Sequence, residues 1–294
     1  MGNIINKQNI FFFGYGYVAQ YFSRSFVNEY NHKGYSFHKS EPKYLSKPRM
    51  SVAFDFSMIS AEILDLYDCF LISIPPNYSQ KSDVVIEKFY DYFLTRNKPF
   101  KLIYLSATSV YGDHYGKKVQ EDSALLAKSE NGLARIACEA KYDKLKVNKN
   151  ANIVILRLAG IYGDQRNAIE GIKSQRITCN YQSSKIISRT HIDDIIKIIN
   201  TIFLSDIENT ILNVADDGPC STKVLNDYVC SNILFIPILA LKNQRKEFRH
   251  SSFALDNKVI DNCKLKALLN YKFIYQTYKE GLTAIAKNIK EGVS

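Results

Sequence analysis

Near its start the chain reads Ile10-Phe11-Phe12-Phe13-Gly14-Tyr15-Gly16-Tyr17-Val18-Ala19. The apolar residues predict a buried strand, and the glycines that follow predict a tight turn. In a dinucleotide-binding turn, Gly14 permits the bend, Gly16 lets the backbone approach a pyrophosphate, and Ala19 allows the helix to pack closely on the strand. An ordinary glycine turn has the same spacing, so the sequence around the motif has to distinguish the two.

The residues after the glycines predict an amphipathic helix. Val18, Phe22 and Phe26 recur every four positions and therefore share one helix face. The free N–H groups and the positive dipole end at the start of such a helix attract an anion. This context favours a dinucleotide as the ligand. The predicted cofactor-binding residues at the turn are Gly14, Gly16, Tyr17 and Val18.

Short β-rich runs alternate with longer helical patterns through the first half of the chain. Such alternation predicts a parallel sheet with helices on both faces. The predicted strands are 10–13, 34–38, 51–54, 69–74, 102–106, 153–158 and 210–215. The predicted helices are 18–26, 83–94, 133–146 and 193–203. We therefore predict an α/β fold with a Rossmann doubly wound parallel sheet.

The same alternation predicts the domain organisation. Residues 1–165 form a dinucleotide-binding domain in this interpretation, and residues 188–217 complete it. Residues 166–187 and 218–294 fall outside the alternating pattern and predict a smaller C-terminal substrate lobe. We expect this lobe to form one wall of a cleft.

The composition is typical of a globular protein. The chain has 294 residues, of which 46% are hydrophobic, and this is ample for a buried core. Its longest apolar runs, 69–74 and 233–241, are well short of the ~20 residues that span a bilayer. The apolar run at 10–13 is too short for a signal-peptide core. We expect a cytoplasmic protein that does not enter a membrane.

Cysteines and histidines give no sign of a disulfide framework or a metal centre. The six cysteines are scattered without a CxxC pair, and the five histidines form no HExxH pattern. We expect reduced thiols and no metal site.

The net charge of +10 would favour binding to a polyanion such as nucleic acid. However, the lysines are spread almost evenly, and the densest basic cluster, at 242–249, lacks the aromatic residues on which bases stack. We therefore expect a solvated basic face and no nucleic-acid partner. The charge equally favours a phosphorylated cofactor or substrate.

Basic residues end the second predicted strand. His38 and Lys39 stand where a chain that prefers NAD usually has an acidic residue to bind the ribose hydroxyls. A basic side chain there favours the 2′-phosphate of NADP, whereas a solvent-facing loop lysine is the alternative. The expected cofactor is NADP or NAD, with NADP slightly favoured.

Three ordered motifs stand out in the chain. They read Leu-Ser-Ala-Thr-Ser-Val-Tyr-Gly-Asp at 105–113, Arg-Leu-Ala-Gly-Ile-Tyr-Gly at 157–163 and Ser-Arg-Thr-His-Ile-Asp-Asp at 188–194. Together they resemble the motifs of the extended short-chain dehydrogenase/reductase superfamily, the NAD-dependent epimerase/dehydratases. The segment 256–282 also looks like the end of such proteins, so the resemblance covers nearly the whole chain. It implies a Rossmann fold, an NAD(P) cofactor and a small or sugar-like carbonyl substrate.

The chain departs from this superfamily at the catalytic positions, and its tighter glycine motif resembles that of atypical members. Ala107 stands four residues before Tyr111, where members have Ser or Thr. Asn131 and Arg135 stand at the tyrosine and lysine of YxxxK. An amide cannot serve as the general acid that hydride transfer to a carbonyl needs, whereas Arg135 can still bind ribose hydroxyls.

Other side chains are candidates for the missing groups. Tyr111 is a possible replacement acid, Thr108 is a neighbouring hydroxyl, and Arg135 supplies a positive charge, so these three are the predicted catalytic residues. The literal YxxxK from Tyr142 to Lys146 lies ~16 Å along the predicted helix beyond the expected position. We expect that match to be a surface pair.

The resemblance also suggests roles for residues at the predicted strand ends. Asp55 resembles the acid that contacts adenine, with a helix cap as the alternative, and Ser73 and Pro75 close the strand that passes the cofactor ribose. Arg189 resembles an arginine that contacts phosphorylated substrate groups. The pair Asp193-Asp194 is expected to cap a helix.

Two functions remain open from the sequence. The first is an oxidoreductase or epimerase-like enzyme, and the second is a non-catalytic NAD(P)-binding redox sensor or partner-binding protein whose catalytic triad has degenerated. Both require a bound dinucleotide, so they differ only in whether a substrate turns over.

Overall fold

A computed structural model describes residues 8–37, 51–174, 184–236 and 256–291. The chain divides into two compact units. Unit 1 comprises the described residues of Met1–Ser106, Leu133–Leu156 and Ile196–Ile211, and unit 2 comprises those of Ala107–Gly132, Arg157–Ile195 and Leu212–Ser294. The predicted domains follow the alternation of strands and helices along the chain, whereas the units follow packing. Residues 107–132, which the sequence places in the dinucleotide-binding domain, belong to unit 2.

The elements alternate along the chain as predicted. The strands are β1 (Asn9–Phe13), β2 (His32–Phe37), β3 (Ser51–Asp55), β4 (Cys69–Ile72), β5 (Phe100–Ala107), β6 (Lys118–Val119), β7 (Ala151–Leu158), β8 (Gly160–Tyr162), β9 (Ile186–Ile187), β10 (Arg189–His191), β11 (Thr210–Val214), β12 (Cys220–Ser221) and β13 (Val259–Ile260). The α-helices are α1 (Tyr17–Ser25), α2 (Ala61–Leu64), α3 (Val84–Thr95), α4 (Glu130–Lys144), α5 (Ala168–Lys173), α6 (Ile192–Leu204), α7 (Thr222–Tyr228), α8 (Cys263–Leu269) and α9 (Tyr278–Glu291). Shorter helical turns are Phe56–Met58, Thr108–Tyr111, Leu145–Val147 and a π-helix at Val229–Leu234.

Within the described residues, seven strands form one sheet in the order β11-β7-β5-β4-β1-β2-β3. The pairs β1–β2, β2–β3, β1–β4 and β4–β5 are all parallel. The strand order reverses at β1, because β2 lies on one side of it and β4 on the other. In open α/β sheets a ligand binds at the carboxyl ends of the strands beside such a reversal. The structure confirms the predicted Rossmann fold and places the glycine turn at that point.

Aromatic rings fill the core of unit 1 beneath the sheet. Phe11 and Phe13 of β1 are fully buried, and so are Phe70 of β4 and Phe93 of α3. The Phe70 and Phe93 rings meet edge to face with centroids 5.1 Å apart. Burying one such side chain stabilises the fold by about 1.5–3 kcal/mol. Burial of its apolar residues therefore places β1 inside the sheet, and the glycine turn that follows β1 lies at the carboxyl edge of that sheet.

The expectation that Tyr142 and Lys146 form a surface pair is wrong for Tyr142. This tyrosine is fully buried, stacks on Tyr104 with ring centroids 4.4 Å apart and donates a hydrogen bond to Asp83 at 3.1 Å. Burial raises the pKa of its phenol well above the ordinary value. Lys146 instead pairs with Asp143. Tyr142 lies on the face of α4 that packs inside unit 1. Its neighbours in the sequence are charged, so the sequence alone predicts an exposed position for it.

The expected capping role of Asp193-Asp194 needs a similar correction. Asp194 lies within the first turn of α6 and is buried. Its carboxylate accepts hydrogen bonds from the Tyr271 hydroxyl at 2.9 Å and from the Ile274 N–H at 2.7 Å. Asp194 therefore anchors the loop before α9, in addition to placing a negative charge at the start of α6.

Two classes of feature are absent from the part of the chain that the structure describes. No helix there is long and apolar enough to cross a bilayer. No group of three or more His, Cys, Asp or Glu side chains in those residues could hold a metal ion.

The close packing at Gly34 gives a test of the core. A methyl group on Gly34 would overlap the Tyr67 hydroxyl and lie 2.7 Å from a ring carbon of Phe11. We expect Gly34→Ala to lower the free energy of unfolding by about 1–3 kcal/mol, because the rings have to shift. Urea unfolding measures the change.

The same substitution in a Tyr67→Phe background serves as the matched control. Tyr67→Phe removes the oxygen that a methyl group at Gly34 would overlap, so the loss caused by Gly34→Ala should be smaller there. An equal loss in both backgrounds would show that Tyr67 does not make the pocket around Gly34 tight.

Candidate functional site

The glycine turn after β1 has a backbone that only glycine adopts readily. Gly14 has φ +88°, in the left-handed region. A Cβ atom at this position would lie 2.8 Å from Cγ1 of Ile74 and 3.0 Å from Oγ of Ser73. Conformation and space therefore both require glycine, as the sequence predicts for a tight turn.

Two serines hold this turn from the neighbouring strands. The Gly14 N–H donates to Oγ of Ser36 in β2 at 3.1 Å, and Oγ of Ser73, just after β4, donates to the Gly14 carbonyl at 2.9 Å. Ser73, which the resemblance places at the cofactor ribose, thus has a structural contact with the turn. Sequence reasoning missed Ser36, because nothing in its own segment shows that it faces Gly14.

An open space lies in front of α1. Gly16 occupies the position before the helix, with no side-chain cap and no acidic residue in the first turn. A Cβ atom built on Gly16 would meet nothing within 4 Å. The positive end of the helix dipole therefore faces room that a pyrophosphate can occupy, and the residues present fit a dinucleotide.

The flanking residues of the motif differ in what they can offer. Val18 is buried on the face of α1 that packs inside unit 1, so only its backbone could contact a ligand. The Tyr17 ring lies against Tyr21 with centroids 4.7 Å apart.

Four further predicted cofactor-binding residues lie at or near strand ends, and the structure places them differently. Asp55 caps the turn Phe56–Met58 and accepts hydrogen bonds from the Ser57 N–H at 2.8 Å and hydroxyl at 2.6 Å, so the cap alternative is what the structure shows. Pro75 is exposed after β4. His38 and Lys39 lie outside the described residues, and the structure therefore does not test their predicted contact with a 2′-phosphate.

Two side chains of α4 bind the end of β5. Arg135 donates from Nη1 to the Leu105 carbonyl at 2.8 Å, and Glu139 accepts a hydrogen bond from the Ser106 hydroxyl. Arg135 thus has a structural contact and retains its predicted cofactor role as a prediction.

The phenol of Tyr111 is inside a hydrogen-bond network of unit 2. Tyr111 has no exposed surface, donates to Oδ1 of Asn213 at 2.7 Å and accepts from Nη1 of Arg157 at 2.9 Å. Burial raises the pKa of Tyr111 to about 12. These contacts favour a structural role, and proton donation by Tyr111 would require exchange of the Asn213 bond. Sequence reasoning missed Asn213, which carries no motif.

Thr108 borders a small cavity with Lys258 in unit 2. Its side chain is buried, and the hydroxyl has no hydrogen-bond partner within the described ranges. Lys258 is also buried and donates from Nζ to the Gly112 carbonyl and to Asp256, each at 2.9 Å. Burial lowers the pKa of this ammonium group. Thr108 is therefore the predicted catalytic residue whose hydroxyl remains available.

Arg189 borders a larger cavity of about 320 Å³ in unit 2. Its guanidinium is mostly buried, and Nη1 donates to the carbonyls of Ile187 at 3.0 Å and Cys220 at 3.2 Å. Contact with a phosphorylated substrate group stays a prediction.

Two buried acid–base groups near Arg189 in the fold of unit 2 are shifted in opposite directions. Burial raises the pKa of Asp216 to about 7 and lowers the pKa of His191 to about 4. Each has an atom with no hydrogen-bond partner in the part of the chain described, Oδ2 of Asp216 and Nε2 of His191. At neutral pH the imidazole is therefore uncharged, and the carboxyl group keeps its proton to a higher pH than an exposed aspartate does.

The fold is shared with solved structures over nearly the whole chain. A functionally unknown conserved protein from Silicibacter pomeroyi DSS is 24% identical, with 97% of this chain and 100% of that chain covered and a TM-score of 0.82. The UDP-N-acetylglucosamine 4-epimerase from Methanobrevibacter ruminantium M1, in complex with UDP-N-acetylmuramic acid, is 15% identical, with 98% and 100% covered and a TM-score of 0.79. The UDP-glucuronic acid 4-epimerase from Bacillus cereus, in complex with UDP-glucuronic acid and NAD, is 20% identical, with 96% and 99% covered and a TM-score of 0.73.

At these identities the likeness establishes the fold alone, and at that level it confirms the resemblance read from the three motifs. No protein-family model matches the chain, and no curated protein matches it in sequence.

The opposite shifts at Asp216 and His191 predict opposite pH dependences of stability. The pKa of Asp216 rises from 3.8 to about 7 on folding, so its contribution to stability is lost as the pH rises through that range. The pKa of His191 falls from 6.5 to about 4, so its contribution is lost as the pH falls through that range. Relative to wild type, Asp216→Asn should therefore gain stability as pH rises, and His191→Gln should gain stability as pH falls.

Urea unfolding at a series of pH values between these limits measures both effects. Each variant is the control for the other, because a general effect of substitution would shift both curves in the same sense. Curves that run parallel to the wild type would contradict the assignment.

Proposed function

We propose that the chain is an NAD(P)-binding oxidoreductase or epimerase-like protein of the extended short-chain dehydrogenase/reductase superfamily, acting on a small or sugar-like carbonyl compound. The proposal rests on the turn after β1. There the backbone conformation and the packing around residue 14 require glycine, and the space in front of Gly16 is open. An ordinary glycine turn needs the first property but not the second. The shared fold supports the same class of ligand.

The chain's own groups have defined tasks toward the dinucleotide. The backbone of Gly14, Gly16 and Tyr17 would bind the pyrophosphate at the start of α1, and Arg135 would bind ribose hydroxyls. The bound dinucleotide would supply the hydride donor or acceptor. Lys39 and His38 would bind a 2′-phosphate if NADP is the preferred cofactor.

The proton chemistry falls to fewer groups than in a protein with YxxxK. Thr108 offers a hydroxyl that could hydrogen-bond a substrate carbonyl, and Arg135 offers a fixed positive charge. Tyr111 would act as the acid only when its bond to Asn213 exchanges for one to substrate. With these few groups, the substrate implied is a carbonyl compound that needs only modest activation by an acid.

A second candidate is a non-catalytic NAD(P)-binding sensor. The specific observation that favours it is the hydrogen-bond network of Tyr111. The phenol that could replace the general acid of YxxxK is already hydrogen-bonded to both Arg157 and Asn213. Asn131 at the position of the usual tyrosine supports the same function. The two candidates share cofactor binding and differ in turnover.

Cofactor binding is tested by calorimetric titration with NADPH, NADP, NADH and NAD. We expect binding by wild type and a loss of at least about tenfold in affinity for Gly16→Asp, because a carboxylate would fill the open space and repel the pyrophosphate. Asn97→Asp, which adds the same charge at an exposed residue, is the control and should bind normally. No binding of any dinucleotide by wild type would overturn the proposal.

The same titration tests the cofactor preference. Lys39→Glu should weaken the phosphorylated pair and leave NADH and NAD unaffected, since an acidic side chain repels a 2′-phosphate. An equal effect on both pairs would assign Lys39 to the solvated surface.

Turnover separates the two candidates. With a panel of small carbonyl compounds, an enzyme should oxidise NADPH or NADH, and Thr108→Val should lower kcat by about a hundredfold or more with the cofactor affinity unchanged. Tyr111→Phe tests the replacement acid in the same assay, with circular dichroism as the check that the network still folds. Tight cofactor binding with no oxidation of NADPH or NADH by any carbonyl compound would favour the sensor.

A further inference from the structure

The small cavity beside Thr108 has a lining that suits a single oxygen atom. It measures about 10 Å³, which is about the space that one water-sized group needs. Its buried polar residues are Thr108, Ser188 and Lys258. Three isoleucines and Asp256 complete the lining, and all of these residues belong to unit 2.

Each of the three buried polar groups keeps a proton that it can donate. Lys258 uses two of its three N–H groups, and the third has no acceptor among the described residues. Oγ of Ser188 accepts from the Ile260 N–H at 3.1 Å, and its own O–H donates to no atom of those residues. The Thr108 hydroxyl is available in the same way. Three donors therefore remain for one small space.

The charges at the cavity are balanced. Nζ of Lys258 lies 2.9 Å from Oδ2 of Asp256, and within the described ranges no other charged residue lines the cavity. An anion would have to compete with Asp256 for the ammonium group, whereas a neutral oxygen needs only the available donors. A carbonyl oxygen accepts hydrogen bonds and donates none, so it matches this set of groups.

Lys258 is better suited than Tyr111 to give up a proton near neutral pH. Burial lowers the pKa of its ammonium group, against the attraction of Asp256 and Asp113, the charged groups that act on it within the described residues. Burial raises the pKa of Tyr111 to about 12. A general acid works best when its pKa lies near the operating pH, and this favours the ammonium group over the phenol.

We infer that the cavity takes the carbonyl oxygen of the substrate and that Lys258 donates the proton which the tyrosine of YxxxK would supply, a role that rests on the proposed enzyme function. Thr108 and Ser188 hydrogen-bond the same oxygen. The carbonyl carbon receives hydride from the reduced dinucleotide, the π electron pair moves to the oxygen, and Nζ of Lys258 protonates it. The products are an alcohol, the oxidised dinucleotide and a neutral amine, which regains its proton from solvent.

NMR of the full chain, labelled with 13C-lysine and without dinucleotide, tests binding of the oxygen. The probe is cyclohexanone, and methylenecyclohexane, which has a CH2 group in place of the oxygen, is the control. We expect a saturable shift of the Lys258 Cε signal with cyclohexanone only, because the ammonium group gains an acceptor. Loss of the signal in Lys258→Arg assigns it. Lys118, whose side chain is 60% exposed, should not respond.

Thr108→Val is the informative variant for binding. It removes one donor at nearly constant shape and breaks no bond to a described residue, so it should melt close to wild type and bind cyclohexanone at least about tenfold more weakly. Thr201→Val, the same exchange on α6, is the matched control and should bind normally. No shift at Lys258, an equal response to both probes, or unchanged binding by Thr108→Val would each overturn the inference.

The pH profile tests proton donation. With the carbonyl compound that wild type reduces best, kcat/KM should fall as the pH rises through the pKa of Lys258, since a neutral amine cannot supply the proton. NMR titration of the same signal measures that pKa directly. Lys258→Arg keeps its proton throughout, so it should lower kcat/KM by about a hundredfold and remove this pH dependence, with cofactor affinity unchanged. Lys118→Arg is the matched control and should behave as wild type does.

The results separate the oxygen site from the enzyme function. A pH dependence that persists in Lys258→Arg, or whose midpoint differs from the pKa of Lys258, would overturn proton donation. Binding of dinucleotide and of cyclohexanone without reduction of any compound would overturn the enzyme function, and proton donation with it, and would leave the oxygen site supported.

Discussion

Unit 1 depends on a constraint at Gly14, where the chain leaves β1 in a left-handed conformation with no room for a side chain. The backbone N–H and C=O of this residue are both bound, one by Ser36 and the other by Ser73. Three adjacent parallel strands thus converge on one peptide segment, and the direction in which α1 starts is set by the sheet. The opening at Gly16 is a consequence of that direction. A ligand that uses it finds the backbone already in place, which lowers the entropy lost on binding.

Local patterns predicted most of this fold, because most strands and helices of unit 1 bury an apolar face that is visible within their own segment. Two side chains show where that reasoning ends. Tyr142 and Asp194 sit among polar neighbours in the sequence, and their burial is determined by Tyr104 and Tyr271, which lie far away along the chain. No window of sequence contains both partners. Periodicity predicts which elements form, whereas the contacts of an individual polar residue require the register of distant elements.

The same distinction applies to the site. The glycine turn was predictable because its chemistry is local, and the three ordered motifs located Thr108, Tyr111 and Arg189 through resemblance. The surroundings of those residues were not predictable. The Tyr111 hydroxyl donates to Oδ1 of Asn213, and Nη1 of Arg189 donates to two carbonyls and to Sγ of Cys220. Composition and spacing contain no information about these partners, yet they determine which of the motif residues retains a group for chemistry.

The attachment of α4 has a further consequence. Arg135 and Glu139 hold this helix to the last residues of β5 through Leu105 and Ser106, and neither bond involves position 131. The helix is therefore tied to β5 by two side chains four positions apart on one face of α4. A substitution at position 131 would leave both of these bonds in place, so the attachment of α4 to the sheet tolerates chemical change at that position.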